Sequence, residues 1–515
     1  MTGTRTFGDY SEIFNVKDYG SIQDGINACS LNGGGIVFLP SNTYEISASL
    51  VIPSFVKLMG SSASTTIIKI ADGANCYAIK SINFDDLTGS NKYAPTDPEV
   101  PYWYGLKDLS IDCNGDNQTA GGGIQFYGNA YSFEGKIIVR DAYEDAIYTE
   151  GPAAATLTSW LGQEEGFFDA VVLAIKPKRY GWLYRGPHNS KINEFRCLLH
   201  EDGDYGFKSE TTVNYTAVLD GFNIIHVYGE ATNTTNRKGI SIGGITKGNL
   251  IQGDSTNVIF ENVAVGKAKS QINSVRVTGV GKGATNAIGL KVDEAEVLIG
   301  RVEAATNASA SAATCIEWNG ALGGISQIYM TDDSADCNGL VVNGANTSFD
   351  NISINGFSGS GRVGVEIASS AVMVRGFIAN CDTALKYTSG SRLNADLDIF
   401  TASGQNAWSG QTPNGGSDKV QVTATGNIVA NNPSKVLSAS ISTNTTTLQT
   451  FSIAHKSLWT PSTADVVYSF RSATSGLDWE IPPTLLTIDA TNLNFECKLA
   501  TAVSGSAFIT AFVDV

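Results

Sequence analysis

GISIGG (239–244), GLKVDE (289–294), CIEWNG (315–320), GLVVNG (339–344), GVEIAS (364–369) and ALKYTS (384–389) share one plan. A small residue is followed by an apolar one, and the next few positions alternate apolar with polar. The spacings between their first residues are 50, 26, 24, 25 and 20, so the first interval reads as two units. The weaker SVRVTG at 274 falls inside that interval. A second alternating run follows most anchors: EVLIGRVEA (296–304), GISQIYM (324–330), FDNISING (349–356) and VMVRGFIAN (372–380). Strands this short, broken this often by Gly, Asn and Ser, leave no room for the helical crossovers of βαβ units. Units stacked one on the next bury a continuous apolar interior, which is a parallel β-solenoid.

Upstream the anchor recurs as GIQF (123–126), AIYT (146–149), GWLY (181–184) and GFKS (206–209). The intervals of 35 between 146 and 181 and of 33 between 206 and 239 imply inserted loops, and loops on a rigid scaffold are where sites are built. SIQDGINACSL (21–31) has helical spacing and is followed by the breaker NGGG and the strand IVFLP. It reads as a short helix capping the first rung. SGQTPNGGSD (409–418) has linker composition, and long alternating strands such as KVLSASIS (435–442) and AFITAFVDV (507–515) follow it. The expected layout is an all-β chain: neck and capping helix (1–45), parallel β-helix (46–408), linker (409–419) and antiparallel β-sandwich (420–515).

Composition narrows the function. Charged residues make up 16% and the net charge is −16, with no basic strip, which excludes nucleic acid as a partner. No apolar run is long enough to span a bilayer, and MTGTRTFGDYSE (1–12) has no signal-peptide core, so no membrane insertion is expected. The eight cysteines are scattered without C-x-x-C spacing and read as small buried hydrophobes; neither a metal nor a cofactor is expected.

FNVKDYGSIQDGINACSLNGGGIVFLPSNTYEISASLVIPSFVKLMG (14–60) resembles the opening of the pectate-lyase-like right-handed parallel β-helix superfamily. VKDYG, the helix and GGGIVFLPSNTY carry the likeness, although the usual acidic turn before the helix is shortened to SIQDG. NIIHVYGEATNTTNRKGISIGG (223–244) is similar to a segment of bacteriophage tailspike depolymerases in that superfamily. The resemblance covers about residues 14–400. It implies a homotrimer on a phage tail, attached to tail or baseplate through its N-terminus, that cuts capsule, exopolysaccharide or O-antigen at the bacterial surface. The C-terminal sandwich would close the trimer or bind sugar. No catalytic set carries over, because that set differs between subfamilies.

The chemistry therefore has to come from the residues. Equivalent positions two rungs apart lie ~9.6 Å apart, since neighbouring strands are ~4.8 Å apart. Glycoside hydrolysis needs two carboxyl groups about 5–5.5 Å apart for retention and about 6.5–9.5 Å apart for inversion. With anchors 146, 181, 206 and 239 aligned, the position two before each is Glu144, Arg179, Asp204 and Arg237. Four after the first three come Glu150, Arg185 and Glu210. Both columns read acid, base, acid. Glu144 and Asp204, with Arg179 between them, are the expected catalytic pair, and Glu201 and Asp202 crowd the same turn. The alternatives are a solvated ion-pair ladder, and, for Glu201–Asp204, a calcium loop lacking the full D-x-D-x-D-G pattern.

Arg179, Arg185, Glu210, His226 and the aromatics Tyr205, Trp160 and Trp182 are expected to hold substrate, with His226 open also to a structural role. The leading reading is hydrolysis by paired carboxylates. β-Elimination by Tyr205, His200 and Arg179, or a non-catalytic glycan-binding spike, are the other two.

Overall fold

The computed structural model describes residues 12–88, 100–128, 130–151, 165–187, 190–200, 203–211, 218–229, 238–261, 269–282, 286–293, 296–334, 336–369, 371–388, 393–400, 405–410, 419–425, 436–443, 449–454, 466–472, 479–488, 492–499 and 505–513. The chain divides into two compact units, Met1–Ala310 and Ser311–Val515.

In the first unit the chain repeatedly visits two parallel sheets. One is made of short strands: Leu50–Ile52, Ile79–Ser81, Ile124–Tyr127, Ile147–Glu150, Tyr180–Arg185, Tyr205–Ser209, Lys238–Ile242, Val258–Phe260 and Ile288–Val292. The other is made of longer strands, among them Ala130–Arg140, Glu165–Ile175, Ser190–Leu199, Val218–Gly229, Ile245–Asp254 and Lys269–Val280. Each pairing is parallel and each rung adds one strand to each sheet, which is the expected solenoid. The register of the short sheet is the one that the anchors gave, with Ile147 opposite Trp182, Trp182 opposite Phe207, and Phe207 opposite Ile240.

The anchors are small for a steric reason. A Cβ built on Gly181 would meet the Gly206 carbonyl oxygen at 2.2 Å, and one on Gly206 would meet Val227 Cγ1 at 2.3 Å. The doubled interval between 239 and 289 is filled by Val258–Phe260. SVRVTG, which was expected to supply that anchor, lies in the long strand Lys269–Val280 of the other sheet. The true anchor was hidden because Asn257 stands where the other rungs have a small residue.

The interior is an aromatic stack. Phe126, Phe133, Phe168, Trp182, Phe195 and Phe207 lie within ring-contact distance of their neighbours, with centroids between 5.0 and 6.2 Å. Aromatic pairs at such spacing add to the area that they bury. The helix Ile22–Leu31 starts at Ser21, whose hydroxyl oxygen accepts from Asp24 N, and it buries Ile22, Ile26 and Cys29. Gln23 then closes the edge of the first short strand: its Oε1 accepts from Val51 N at 2.8 Å and its Nε2 donates to Val51 O at 3.1 Å. An unpaired strand edge invites association, and this side chain satisfies it.

The second unit repeats the plan, with short strands Thr314–Trp318, Asn338–Val342, Val363–Ile367, Thr383–Tyr387 and Asn406–Gly410 in parallel register. Lys419–Thr425 pairs in parallel with Leu393–Phe400, so solenoid pairing runs through Thr425 and past the expected boundary at 408. Residues 411–418 of the expected linker lie outside the described residues. Beyond it the chain forms two three-stranded antiparallel sheets, Val436–Thr443 and Val466–Ser472 about Gly505–Val513, and Gln449–Ala454 and Trp479–Ile488 about Asn492–Leu499.

Candidate functional site

The two acid–base–acid columns stand at opposite ends of the short strands of the first unit. At the leading end, Glu144 Oε1 lies 3.4 Å from Arg179 Nη1, and its other oxygen accepts from Gly121 N at 3.0 Å. Asp204 is exposed, and its backbone N–H donates to the Arg179 carbonyl at 2.9 Å. The rung order Glu144, Arg179, Asp204 is therefore present, but the guanidinium is held elsewhere. Arg179 Nε and Nη2 grip Asp145 Oδ1 and Oδ2 at 2.6 and 2.5 Å. Asp145 is 0% exposed and also accepts from Tyr77 OH at 3.2 Å. Burial pushes its carboxyl up, against the Arg179 guanidinium that draws it down. Sequence reasoning missed Asp145; the signal was its place beside the rung's buried anchor, Ala146.

At the trailing end the ladder is continuous. Glu150 lies opposite Arg185 in register, 3.8 Å from Arg185 Nη1, and accepts from Tyr148 OH. Arg185 Nη1 donates to the same Tyr148 oxygen at 2.8 Å, while Nη2 and Nε reach Glu210 Oε2 at 2.5 and 2.7 Å. Lys208 Nζ sits 3.3 Å from Glu210 Oε1.

These neighbours drive the two carboxyls apart. Burial raises Glu150, helped by the charge of Glu210, and outweighs the pull of Tyr148 and Arg185. Burial also acts on Glu210, but Arg185 and Lys208 outweigh it and hold that carboxyl below the usual range. One is biased to keep its proton and the other to lose it, two rungs or ~9.6 Å apart by strand spacing. The side chains of Glu150 and Glu210 remain 19% and 28% exposed, so both reach solvent.

Two of the expected substrate-contact residues, Trp182 and Tyr205, are buried in the packing. Trp182 is fully buried and donates from Nε1 to Thr149 Oγ1 at 2.9 Å; it fills the solenoid interior because position 182 points inward in this register. Tyr205 is only 7% exposed, its ring 6.1 Å from that of Tyr180 and beneath the Lys208 ammonium, and burial pushes its hydroxyl up to about 12. Lys191, Asn223, Lys247 and Asn249, which the sequence did not single out, face a cleft on the long-stranded sheet.

His226 lies on the outer face of that sheet, with Nε2 2.7 Å from Asp254 Oδ2. Asp254 also accepts from Gln252 Nε2 and Thr278 Oγ1, which together with His226 outweigh burial and lower its carboxyl. Glu201, Asp202 and Trp160 lie outside the described residues. Among the described residues no cluster of three or more His, Cys, Asp or Glu could hold a metal ion, and no helix is long and apolar enough to cross a membrane.

No family model matches the chain. It is 27% identical to alginate lyase 7 of Azotobacter vinelandii over 241 residues, 41% of this chain and 23% of that protein. It is 30% identical to the mannuronan C5-epimerase AlgE2 of the same organism over 274 residues, 48% of this chain and 23% of that protein. The chain thus spans less than a quarter of the length of these relatives. Structural neighbours are the tailspike protein of E. coli bacteriophage HK620 in complex with pentasaccharide (TM-score 0.47, 11% identity, 96% of this chain and 89% of that one) and the Azotobacter vinelandii AlgE6 A-module (TM-score 0.42, 15% identity, 80% and 100%). The chain is a parallel β-solenoid, as the pectate-lyase-like resemblance implied.

Proposed function

We propose that this chain binds and cleaves a bacterial surface polysaccharide on the outer face of its short-stranded sheet, with Glu150 as proton donor and Glu210 as the ionised carboxylate. The observation that carries this reading is the opposed bias of the two carboxyls about Arg185. Hydrolysis needs one acid protonated and one ionised, and the two-rung separation meets the upper end of the inverting range, about 6.5–9.5 Å. Arg185 holds Glu210 ionised, and a sugar entering between the columns displaces its long contact to Glu150. The first expectation, Glu144 with Asp204, has the same rung separation and is the competing pair; its arginine is already committed to Asp145.

A second reading, β-elimination, is favoured by one contact and one relative. Arg185 Nη1 donates to Tyr148 OH, which pairs a cation for a uronate carboxylate with a proton-transferring hydroxyl, and a matching protein is named an alginate lyase. The likeness of 223–244 to a segment of tailspike depolymerases, within a chain whose residues 14–60 resemble the opening of the wider superfamily, supports a trimeric phage-tail protein attached through its N-terminus. On this reading the antiparallel strands 436–513 pack as the expected sandwich.

The test incubates the protein, Glu150→Gln and Glu210→Gln with capsule, lipopolysaccharide and alginate, and analyses products by mass and ultraviolet absorbance. New reducing ends without unsaturated uronate mean hydrolysis; unsaturated uronate means elimination. Parental cleavage by both variants removes the pair, and Glu144→Gln with Asp204→Asn then identifies the competing one. If the parent cuts no glycan that it binds, the protein is an adhesin.

A further inference from the structure

The long-stranded sheet carries a cleft of about 630 Å³ on its outer surface, away from the carboxylate columns. Its wall is a row of four asparagines on successive rungs. Asn223 Nδ2 donates to Asn193 Oδ1 at 2.8 Å, Asn249 Nδ2 to Asn223 Oδ1 at 3.1 Å, and Asn273 Nδ2 to Asn249 Oδ1 at 2.7 Å. The row follows irregularities in the strands: Phe168/Val171, Ser190/Lys191 and Leu219/Ile224 all shift register here. The shift turns the amides to the outside, and Asn223, Asn249 and Asn273 are exposed.

Each ladder amide spends one N–H and one lone pair on its neighbours. An asparagine side chain has two donors and two acceptor sites, so every inner rung keeps one of each for a ligand. The result is a strip of paired donors and acceptors repeating every ~4.8 Å along the solenoid. Vicinal hydroxyls of an extended glycan present the complementary pattern at a similar repeat. The charges lining the cleft cancel: Lys191 and Lys247 stand with Asp169 and Asp220, and Lys247 Nζ is 3.0 Å from Asp220 Oδ1. The lining thus offers hydrogen bonds without net charge. The floor is kept low by Gly248, where a Cβ would meet the Phe222 ring at 2.1 Å, and by Gly221, where a Cβ would find only Lys191 Cγ, at 3.6 Å.

We propose that the asparagine-lined cleft of the long-stranded sheet is a second, non-catalytic binding site for a hydroxyl-rich, uncharged stretch of glycan. The site anchors a chain independently of where bonds are cut, so it stands or falls apart from the roles given to Glu150 and Glu210.

The test uses the full chain carrying Glu150→Gln and Glu210→Gln, so that no probe is consumed. Calorimetry against neutral hexasaccharides from dextran, galactan and O-antigen hydrolysates, and against oligoalginate of equal length, reads affinity. Two further variants are compared in that background: Asn223→Leu with Asn249→Leu, which removes the amides, and Gly221→Phe, which fills the cleft with the ladder intact. At least one neutral hexasaccharide is expected to bind with little salt dependence, and each variant to weaken it about tenfold, the loss of two or so hydrogen bonds. If the leucine variant fails to fold, Gly221→Phe alone decides. The proposal is overturned if no neutral hexasaccharide binds, if oligoalginate alone binds, or if the folded variants bind as tightly as the parent.

Discussion

The two ends of the short-stranded sheet carry the same sequence pattern and have different chemistry. Glu144–Arg179–Asp204 and Glu150–Arg185–Glu210 are both acid–base–acid across three rungs, in the same register. At the first end the arginine is captured by Asp145, a carboxylate with no exposed surface, and Asp204 is left in solvent. At the second end, among the described residues, no fully buried carboxylate takes the guanidinium, so Arg185 reaches both Glu150 and Glu210; it lowers both, but burial keeps Glu150 raised while Arg185 and Lys208 leave Glu210 lowered. A repeated pattern fixes which residues are neighbours. What lies one position inward decides what those neighbours do.

That contrast can be broken most sharply by activity. Glu150→Gln is expected to lower depolymerisation about a hundredfold or more, the usual worth of a positioned proton donor, while Glu144→Gln stays within a fewfold of parent. Equal losses in reducing-end assays would erase the distinction between the ends.

Stability should show the reverse asymmetry. Asp145→Asn takes from Arg179 its one fully buried carboxylate partner and should cost about 3 kcal/mol, as broken buried pairs do. Glu144→Gln, a partly exposed partner of the same arginine, should cost less than about 1 kcal/mol. Chemical denaturation midpoints for the two variants measure the difference, and a similar cost for both would show that Asp145 is no anchor.

The pH profile of cleavage sharpens the second end. On the proposed assignment, Glu210 ionised and Glu150 protonated, the acid limb belongs to Glu210, below the ordinary Glu value of about 4.3, and the alkaline limb to Glu150, above it. For stability the two groups pull in opposite directions. Glu210 contributes above its unfolded value and loses that contribution as pH falls through its lowered one; Glu150 favours the fold in acid and loses that as pH rises through its raised one. Arg185→Met removes a cation that lowers both, so both limbs of the activity profile should move to higher pH.

The smallest expected effect is at the cap. Gln23→Ala frees both Val51 backbone groups and should cost about 1–2 kcal/mol, seen as faster hydrogen exchange at Val51.

Much of this was legible beforehand. Anchors at 146, 181, 206 and 239 gave the rung register without a structure, because these rungs open where neighbours crowd: a Cβ on Gly181, Gly206 or Gly239 would meet another residue at 2.2–2.3 Å. The same rule missed the rung at Val258–Phe260, whose opener is Asn257. Trp182 was expected among the sugar contacts, whereas its strand parity points it inward. Alternation tells the two faces apart only once one residue's direction is known.

By itself, then, the sequence determined the solenoid, its register and the two charged columns, since these follow from a period and a stacking distance. Only the tertiary structure decided which arginine is sequestered by a buried carboxylate, and that a row of asparagines from four separate rungs lines one cleft. Those outcomes depend on burial and on which way a side chain turns at a bulge. Both are set by neighbours some 25 to 35 residues away along the chain, and no local pattern records them.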